Sequence, residues 1–124
     1  MASCRHSKPG RTVLACSGAS NVGQMTVEVA KRLDREGVGS FKCATSLGAH
    51  VSSRISSVKC SDKVLVIDGC TQGCAKRVVE RAGIENYAYV IVSQSCCLER
   101  NSDYDTKEDD HVDCLVEHCK DLLQ

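Results

Sequence analysis

Short apolar runs alternate along the chain with stretches in which apolar residues recur at helical spacing. The runs predict four strands, at residues 12–16, 40–43, 63–68 and 87–93. The third run is unbroken from Val64 to Ile67. Such a run is typical of a central parallel strand that is covered on both faces.

Helices are predicted between these strands and after the last one. In the first, Asn21 and Gln24 fit an N-cap and its partner three residues on, and the helix ends at Gly37. Two more helices are expected over residues 51–58 and 75–82, whereas residues 45–49 are predicted to form a loop. Residues 99–108 are charged and are predicted to be a linker or exposed loop, and Thr106 together with Asp109 resembles the start of a final helix. The apolar stripe of this helix is Val112, Leu115, Val116, Cys119, Leu122 and Leu123.

Alternating strands and helices predict a parallel sheet with right-handed crossovers. We therefore expect a three-layer α/β fold of the Rossmann or flavodoxin type, with strand order 2-1-3-4 and helices on both faces. Residues 1–10 are predicted to be a loose lead-in, and residues 11–124 a single domain. In such sheets the functional site lies beyond the carboxyl ends of the strands, where the strand order reverses between strands 1 and 3.

The composition argues against several classes of partner. The 16 basic residues balance the 16 acidic ones, aromatic residues make up 3% of the chain, and tryptophan is absent. Without an excess of charge or a stacking surface, we expect no binding to nucleic acid or to a membrane surface. No apolar run approaches the length of a membrane span. Protein partners cannot be predicted from these data.

The ten cysteines change this picture most. The first residues contain no apolar stretch that resembles a signal peptide, so we expect a cytoplasmic protein with reduced thiols. In that compartment, clustered cysteines indicate metal binding or redox chemistry.

Four of these cysteines follow the predicted strands. Cys16, Cys43 and Cys70 come at the ends of strands 1, 2 and 3, and Cys74 lies four residues after Cys70. Neighbouring parallel strands end at the same edge of a sheet about 4.8 Å apart, so the four thiols are expected to gather there. Zinc takes four ligands in a tetrahedron, and thiolates are among its preferred ligands. The pattern predicts a site for zinc or another thiophilic metal, although the spacing is not that of a zinc ribbon.

The same residues resemble a known family. Cys16-Ser-Gly-Ala-Ser20, Cys43 and the segment Asp68-Gly69-Cys70 with Cys74 are similar to the DGC-domain family of proposed zinc-binding proteins. The resemblance covers roughly residues 12–95. It implies that Cys16, Cys43, Cys70 and Cys74 are the metal ligands, and it implies no established reaction. After the fourth strand the chain has Ser-Cys-Cys, where such proteins more often have a Gly-Ile-Lys-type segment.

Two further groups of residues carry candidate chemistry. Cys96 and Cys97 fall at the same sheet edge, where they are either strand-end packing or a resolving thiol or extra ligand. In the last helix His111, Cys114 and His118 lie near Cys119. This cluster is either a second metal site or part of the core stripe together with solvated histidines. Asp68 is either a turn residue or a hydrogen-bond partner of the metal site.

Alternative functions explain fewer of the cysteines. The loop after Cys16 also resembles the phosphocysteine loop of sugar-phosphotransferase IIB proteins, which would make the chain a phosphoryl carrier. That function leaves the other three thiols without a role. A low-molecular-weight phosphatase needs an arginine six residues after the cysteine, and Val22 stands there. A thiol redox protein remains an alternative, although no Cys-x-x-Cys motif is present. Whether the protein is an enzyme is left open.

Overall fold

A computed structural model describes residues 10–105 and 109–124. The elements run in the order β1 (Arg11–Ala15), α1 (Asn21–Arg35), β2 (Ser40–Lys42), α2 (Ala44–Gly48), α3 (Ser52–Lys59), β3 (Lys63–Asp68), α4 (Cys74–Arg81), β4 (Ala88–Ile91), α5 (Val92–Ser95) and α6 (Asp109–Leu122). The predicted lead-in falls almost wholly outside the described residues.

The four strands form one parallel sheet in the order β2-β1-β3-β4. Val13 of β1 lies between Phe41 of β2 and Leu65 of β3 in register. The predicted fold class and strand order are confirmed. Every residue of β3 after Lys63 is buried, because helices cover this strand from both sides.

Two apolar cores lie on opposite faces of the sheet. On one face, alternate strand residues such as Val13 and Ile67 pack against α1 and α6. On the other face, Leu14 and Val66 pack against α2, α3 and α4. The alternation follows from the period of two along a strand, which sends successive side chains to opposite faces. The result is the expected three-layer arrangement.

The prediction of a loop at residues 45–49 is wrong, since most of this segment belongs to α2. Ser46 and Gly48 suggested a loop from local preference alone. Leu47 is buried in the core on this face, and α2 packs against α4. Burial of this leucine stabilises a helix that is only five residues long and contains Thr45, Ser46 and Gly48, which have weak helical propensity.

Other boundaries shift by one to a few residues. Ser20, rather than Asn21, is the N-cap of α1, and its Oγ accepts a hydrogen bond of 3.0 Å from the Gly23 N–H. The Asn21 side chain instead bonds the backbone of Glu99 and Asn101, which ties a distant loop to the start of α1. The predicted fourth strand is shorter than expected, because its last residues turn into α5.

The described part of the last helix, α6, begins at Asp109, and Thr106 of the predicted helix start lies outside the described residues. Val112, Leu115, Val116 and Cys119 of its stripe are buried, as is Leu123, which follows the helix. None of the helices in the described ranges has the length and apolar character that crossing a membrane requires.

Candidate metal and thiol site

Cys16 lies directly beyond β1, at the point where the sheet order reverses. Its N–H donates to the Ile67 carbonyl, so the chain still follows β3 at this residue. Its Sγ accepts from the Gly69 N–H at 3.4 Å and lies 3.8 Å from Thr26 Oγ1. The half-buried sulfur of Cys16 is therefore in contact with the turn that follows β3.

Cys43 directly follows β2 and is the N-cap of α2. Its thiol is exposed. Its sulfur makes no capping hydrogen bond to α2, but the nearby backbone N–H of Ser46, and less strongly that of Thr45, favours the thiolate. These N–H groups outweigh the slight burial of the thiol, and the pKa of Cys43 is lowered.

Cys16 and Cys43 line the same cleft, which has a volume of about 250 Å³. Phe41, Lys42 and Cys43 also line a second cleft of about 420 Å³ on the side of α3. The structure thus brings two of the four predicted ligands together in one cavity.

Cys70 lies on the turn between β3 and α4, and Cys74 is the first residue of α4. Neither lines the cleft that Cys16 and Cys43 share. Cys70 is half-buried and packs against the core on the α1 face, whereas Cys74 is exposed as the first residue of α4. Within residues 10–105 and 109–124, no three His, Cys, Asp or Glu side chains are close enough to hold a metal ion. The four predicted ligands share one edge of the sheet but are not gathered around one point.

The turn between β3 and α4 is held by Asp68, which is 1% exposed. Its two carboxylate oxygens accept from the N–H groups of Ala75 and Lys76, at 2.8 and 3.0 Å, and so cap α4. A third bond, of 2.6 Å, comes from the hydroxyl of Tyr89 on β4. Of the two roles considered for Asp68, the structural one at the strand end is therefore observed, as a helix cap.

Tyr89 is the residue that the sequence did not reveal. Burial, and then its bond to Asp68, raises the pKa of Tyr89, so the hydroxyl remains a donor. Lys76 lies 5.4 Å above the Tyr89 ring. The alternation of side chains between the two faces of the sheet could have revealed this contact. Tyr89 pairs in register with Val66, which lies two residues before Asp68 and therefore on the same face.

Two glycines allow the turn to approach α1 closely. A Cβ atom on Gly69 would lie 2.7 Å from the Gly23 nitrogen and 2.8 Å from the Val22 carbonyl carbon. A Cβ on Gly23 would in turn overlap the Gly18 carbonyl. Glycine is therefore required in the Asp-Gly-Cys segment by backbone packing.

The remaining cysteines are dispersed, and one of them, Cys60, is disulfide-bonded, whereas reduced thiols were expected. Cys96 is half-buried and packs against the same core as Cys70, and Cys97 is exposed with a φ of 53°. In α6, Cys119 is fully buried in the core, whereas Cys114 and His118 are exposed. The core-stripe interpretation of this helix is thus the one that its burial pattern favours.

The chain is similar to a known protein and matches a family model that includes the segments on which the resemblance rests. The protein is 30% identical over 82 residues to the anaerobic and virulence modulator AnvM of Pseudomonas aeruginosa. That similarity covers 66% of this chain and spans 63% of the relative's length. No solved structure matches the chain. The family model of the DGC domain matches residues 12–119, and the chain therefore belongs to the DGC-domain family.

Proposed function

We propose that this domain binds a thiophilic metal ion, zinc in the first instance, through Cys16, Cys43, Cys70 and Cys74. The observation that carries the proposal is the position of these four free thiols, beyond three adjacent strands at one edge of the sheet. A set of four sulfur donors binds zinc and other soft metals in preference to magnesium or calcium.

Metal binding would require the four thiols to converge. Cys16 and Cys43 already share a cleft, and the Gly69 N–H donates to Cys16 Sγ, so the turn that carries Cys70 touches the first ligand. Cys74 stands in the exposed first turn of α4. We infer that the ion closes the site by drawing the segment of residues 70–74 toward the cleft.

A regulatory role fits this site better than catalysis. Four protein thiolates around zinc leave no open position for a substrate. The relative AnvM is described by its name as a modulator. We propose a metal-dependent regulatory domain in the reducing cytoplasm, where the free thiols would persist.

The phosphoryl-carrier alternative has less support. A phosphocysteine loop needs free backbone N–H groups around the cysteine. In the loop after Cys16, the N–H of Ser17 donates to Thr26, that of Ser20 to the Gly18 carbonyl, and that of Asn21 to Asn101. These donors are already engaged within the protein.

The test is the metal content of protein purified anaerobically under reducing conditions. We expect about one zinc ion per chain, as a single four-cysteine site requires. Changing Cys70 or Cys74 to serine should lower this content sharply. Cys114→Ser is the matched control, because Cys114 is an exposed thiol on α6 and should have no effect. Full metal content in both the Cys70→Ser and Cys74→Ser variants would refute the proposal.

A further inference from the structure

Two thiols of different exposure lie in one cleft at the sheet edge. Cys43 is exposed, whereas Cys16 is half-buried in the 250 Å³ cleft that both residues line. The last paired residues of these strands are Leu14 and Lys42. Cys16 and Cys43 each lie just beyond one of these two adjacent strands, which are about 4.8 Å apart. A disulfide joins Cα atoms separated by about 4.4–6.8 Å.

The surroundings of Cys43 are cationic. Lys42 lines both clefts, and Arg54 lines the larger one of about 420 Å³. Among the described residues, no Asp or Glu lines either cleft. The half-buried Phe41 adds an apolar wall to both. Clefts with this lining suit a small molecule that carries negative charge beside an apolar part.

We propose that Cys43 and Cys16 form a dithiol that reduces small anionic disulfides. The Cys43 thiolate attacks one sulfur of the disulfide, the S–S bond breaks, and one thiolate leaves with the bonding electrons. The Cys16 thiolate then attacks Cys43 Sγ, which releases the second thiol and leaves a Cys16–Cys43 disulfide. One disulfide is reduced to two thiols as the two cysteines are oxidised to one disulfide, and the protons of the two cysteines pass to the leaving thiolates.

The order of attack follows from exposure. Cys43 meets a molecule in either cleft, because it lines both of them, whereas Cys16 lines only the smaller cleft and is held by the Gly69 N–H and Thr26. Lys42 and Arg54 are positioned to bind the carboxylates of the incoming disulfide. The reaction needs no metal. In the metal-bound protein that we propose, the same disulfide would remove two ligands.

The first experiment uses the metal-free, reduced full chain and oxidised glutathione at pH 7, with products mapped by peptide mass spectrometry. We expect the wild-type chain to form a Cys16–Cys43 disulfide and to release two glutathione molecules per chain. The Cys16→Ser variant should stop at the mixed disulfide and retain one glutathione on Cys43. Because the chain is metal-free, this result is independent of whether the metal proposal holds.

The exposed thiols Cys97 and Cys114 provide an internal control, since neither lines the two clefts. Cys43 should react with glutathione disulfide about tenfold faster than either of them. An equal rate at Cys43, Cys97 and Cys114, or no glutathione on Cys43 in the Cys16→Ser variant, would overturn the proposal.

A second experiment tests the charge requirement. The double change Lys42→Gln and Arg54→Gln should slow the reaction of Cys43 with oxidised glutathione about tenfold. The reaction with cystamine, a cationic disulfide, should not slow in the same variant, and it shows that the cleft and Cys43 remain accessible. Equal slowing with both disulfides, or no slowing with glutathione, would refute the role of the two cations.

Discussion

Replacement of Gly69 by alanine should destabilise the domain strongly. The new Cβ would lie 2.7 Å from the Gly23 nitrogen, 2.8 Å from the Val22 carbonyl carbon and 2.9 Å from Gly23 Cα. All three are backbone atoms of the first turn of α1, so no flexible side chain can move aside. The β3–α4 turn must separate from α1 instead.

The expected loss follows from these contacts. Overpacking of a filled site costs about 1–3 kcal/mol. The new Cβ is attached to one backbone segment and meets the backbone of another, and neither can rotate away. We therefore expect Gly69→Ala to cost about 3 kcal/mol. The usual gain from replacing glycine, about 0.4–1 kcal/mol through the unfolded chain, is too small to offset this cost. With an m-value of about 1.5 kcal/mol/M, the urea midpoint should fall by roughly 2 M.

Gly48→Ala is the matched control for this measurement. A Cβ on Gly48, at the exposed end of α2, would lie 3.7 Å from Val78 Cγ2, which is ordinary van der Waals contact. We expect this variant to be as stable as the wild type or more stable by about 0.5 kcal/mol in urea unfolding followed by circular dichroism. A loss below about 1 kcal/mol for Gly69→Ala, or equal midpoints for the two variants, would refute the packing argument.

Three further predictions are tested by unfolding in urea as well. Ser20→Ala removes the N-cap bond to the Gly23 N–H and should cost about 1 kcal/mol. Tyr89→Phe leaves the buried Asp68 without one of its three donors and should cost about 2 kcal/mol, whereas Tyr87→Phe, which removes only an exposed bond, should cost less than about 0.5 kcal/mol. Burial raises the pKa of Cys119 from 9.0 to about 12, so only the unfolded thiol ionises between these values. Stability should therefore be insensitive to this group below pH 9 and fall by about 1.4 kcal/mol per pH unit above it. This extra slope should be absent from Cys119→Ala, and equal slopes in the two proteins would contradict the assignment.

The sequence was sufficient to predict the strands of the sheet and their order, and the reason is physical. A strand such as β3 carries its signal in its own composition, since a run that is apolar on both faces suits only a covered central position. Strand order then follows from crossover handedness. The N-cap of α1 was missed by one residue because Asn21 is fixed by bonds to Glu99 and Asn101, about 80 positions away. Likewise, α2 depends on the burial of Leu47 against a helix distant in sequence.

In the candidate site too, local sequence predicts some features, whereas tertiary contacts determine others. The sequence located Cys16, Cys43, Cys70 and Cys74 at or after three strand ends, because the apolar runs that predict those strands stop there. It did not reveal that Cys16 and Cys43 share a cleft that the other two do not line. That difference depends on the turn after β3, whose path is set by the left-handed Gly73, with a φ of 68°, and by tertiary bonds.

The Asp68-Gly69-Cys70 segment combines three requirements in consecutive residues. The carboxylate of Asp68 holds the start of α4 and the hydroxyl of Tyr89, so it joins β3, α4 and β4. Gly69 lets the backbone lie against α1 and leaves its N–H directed at Cys16 Sγ. Cys70 follows at the sheet edge, half-buried against the core on the α1 face. In the site that we propose, residues 70–74 move toward the cleft, whereas Asp68 and Gly69 stay in place at the end of β3. The first two residues of the segment therefore fix the base of the turn that carries Cys70.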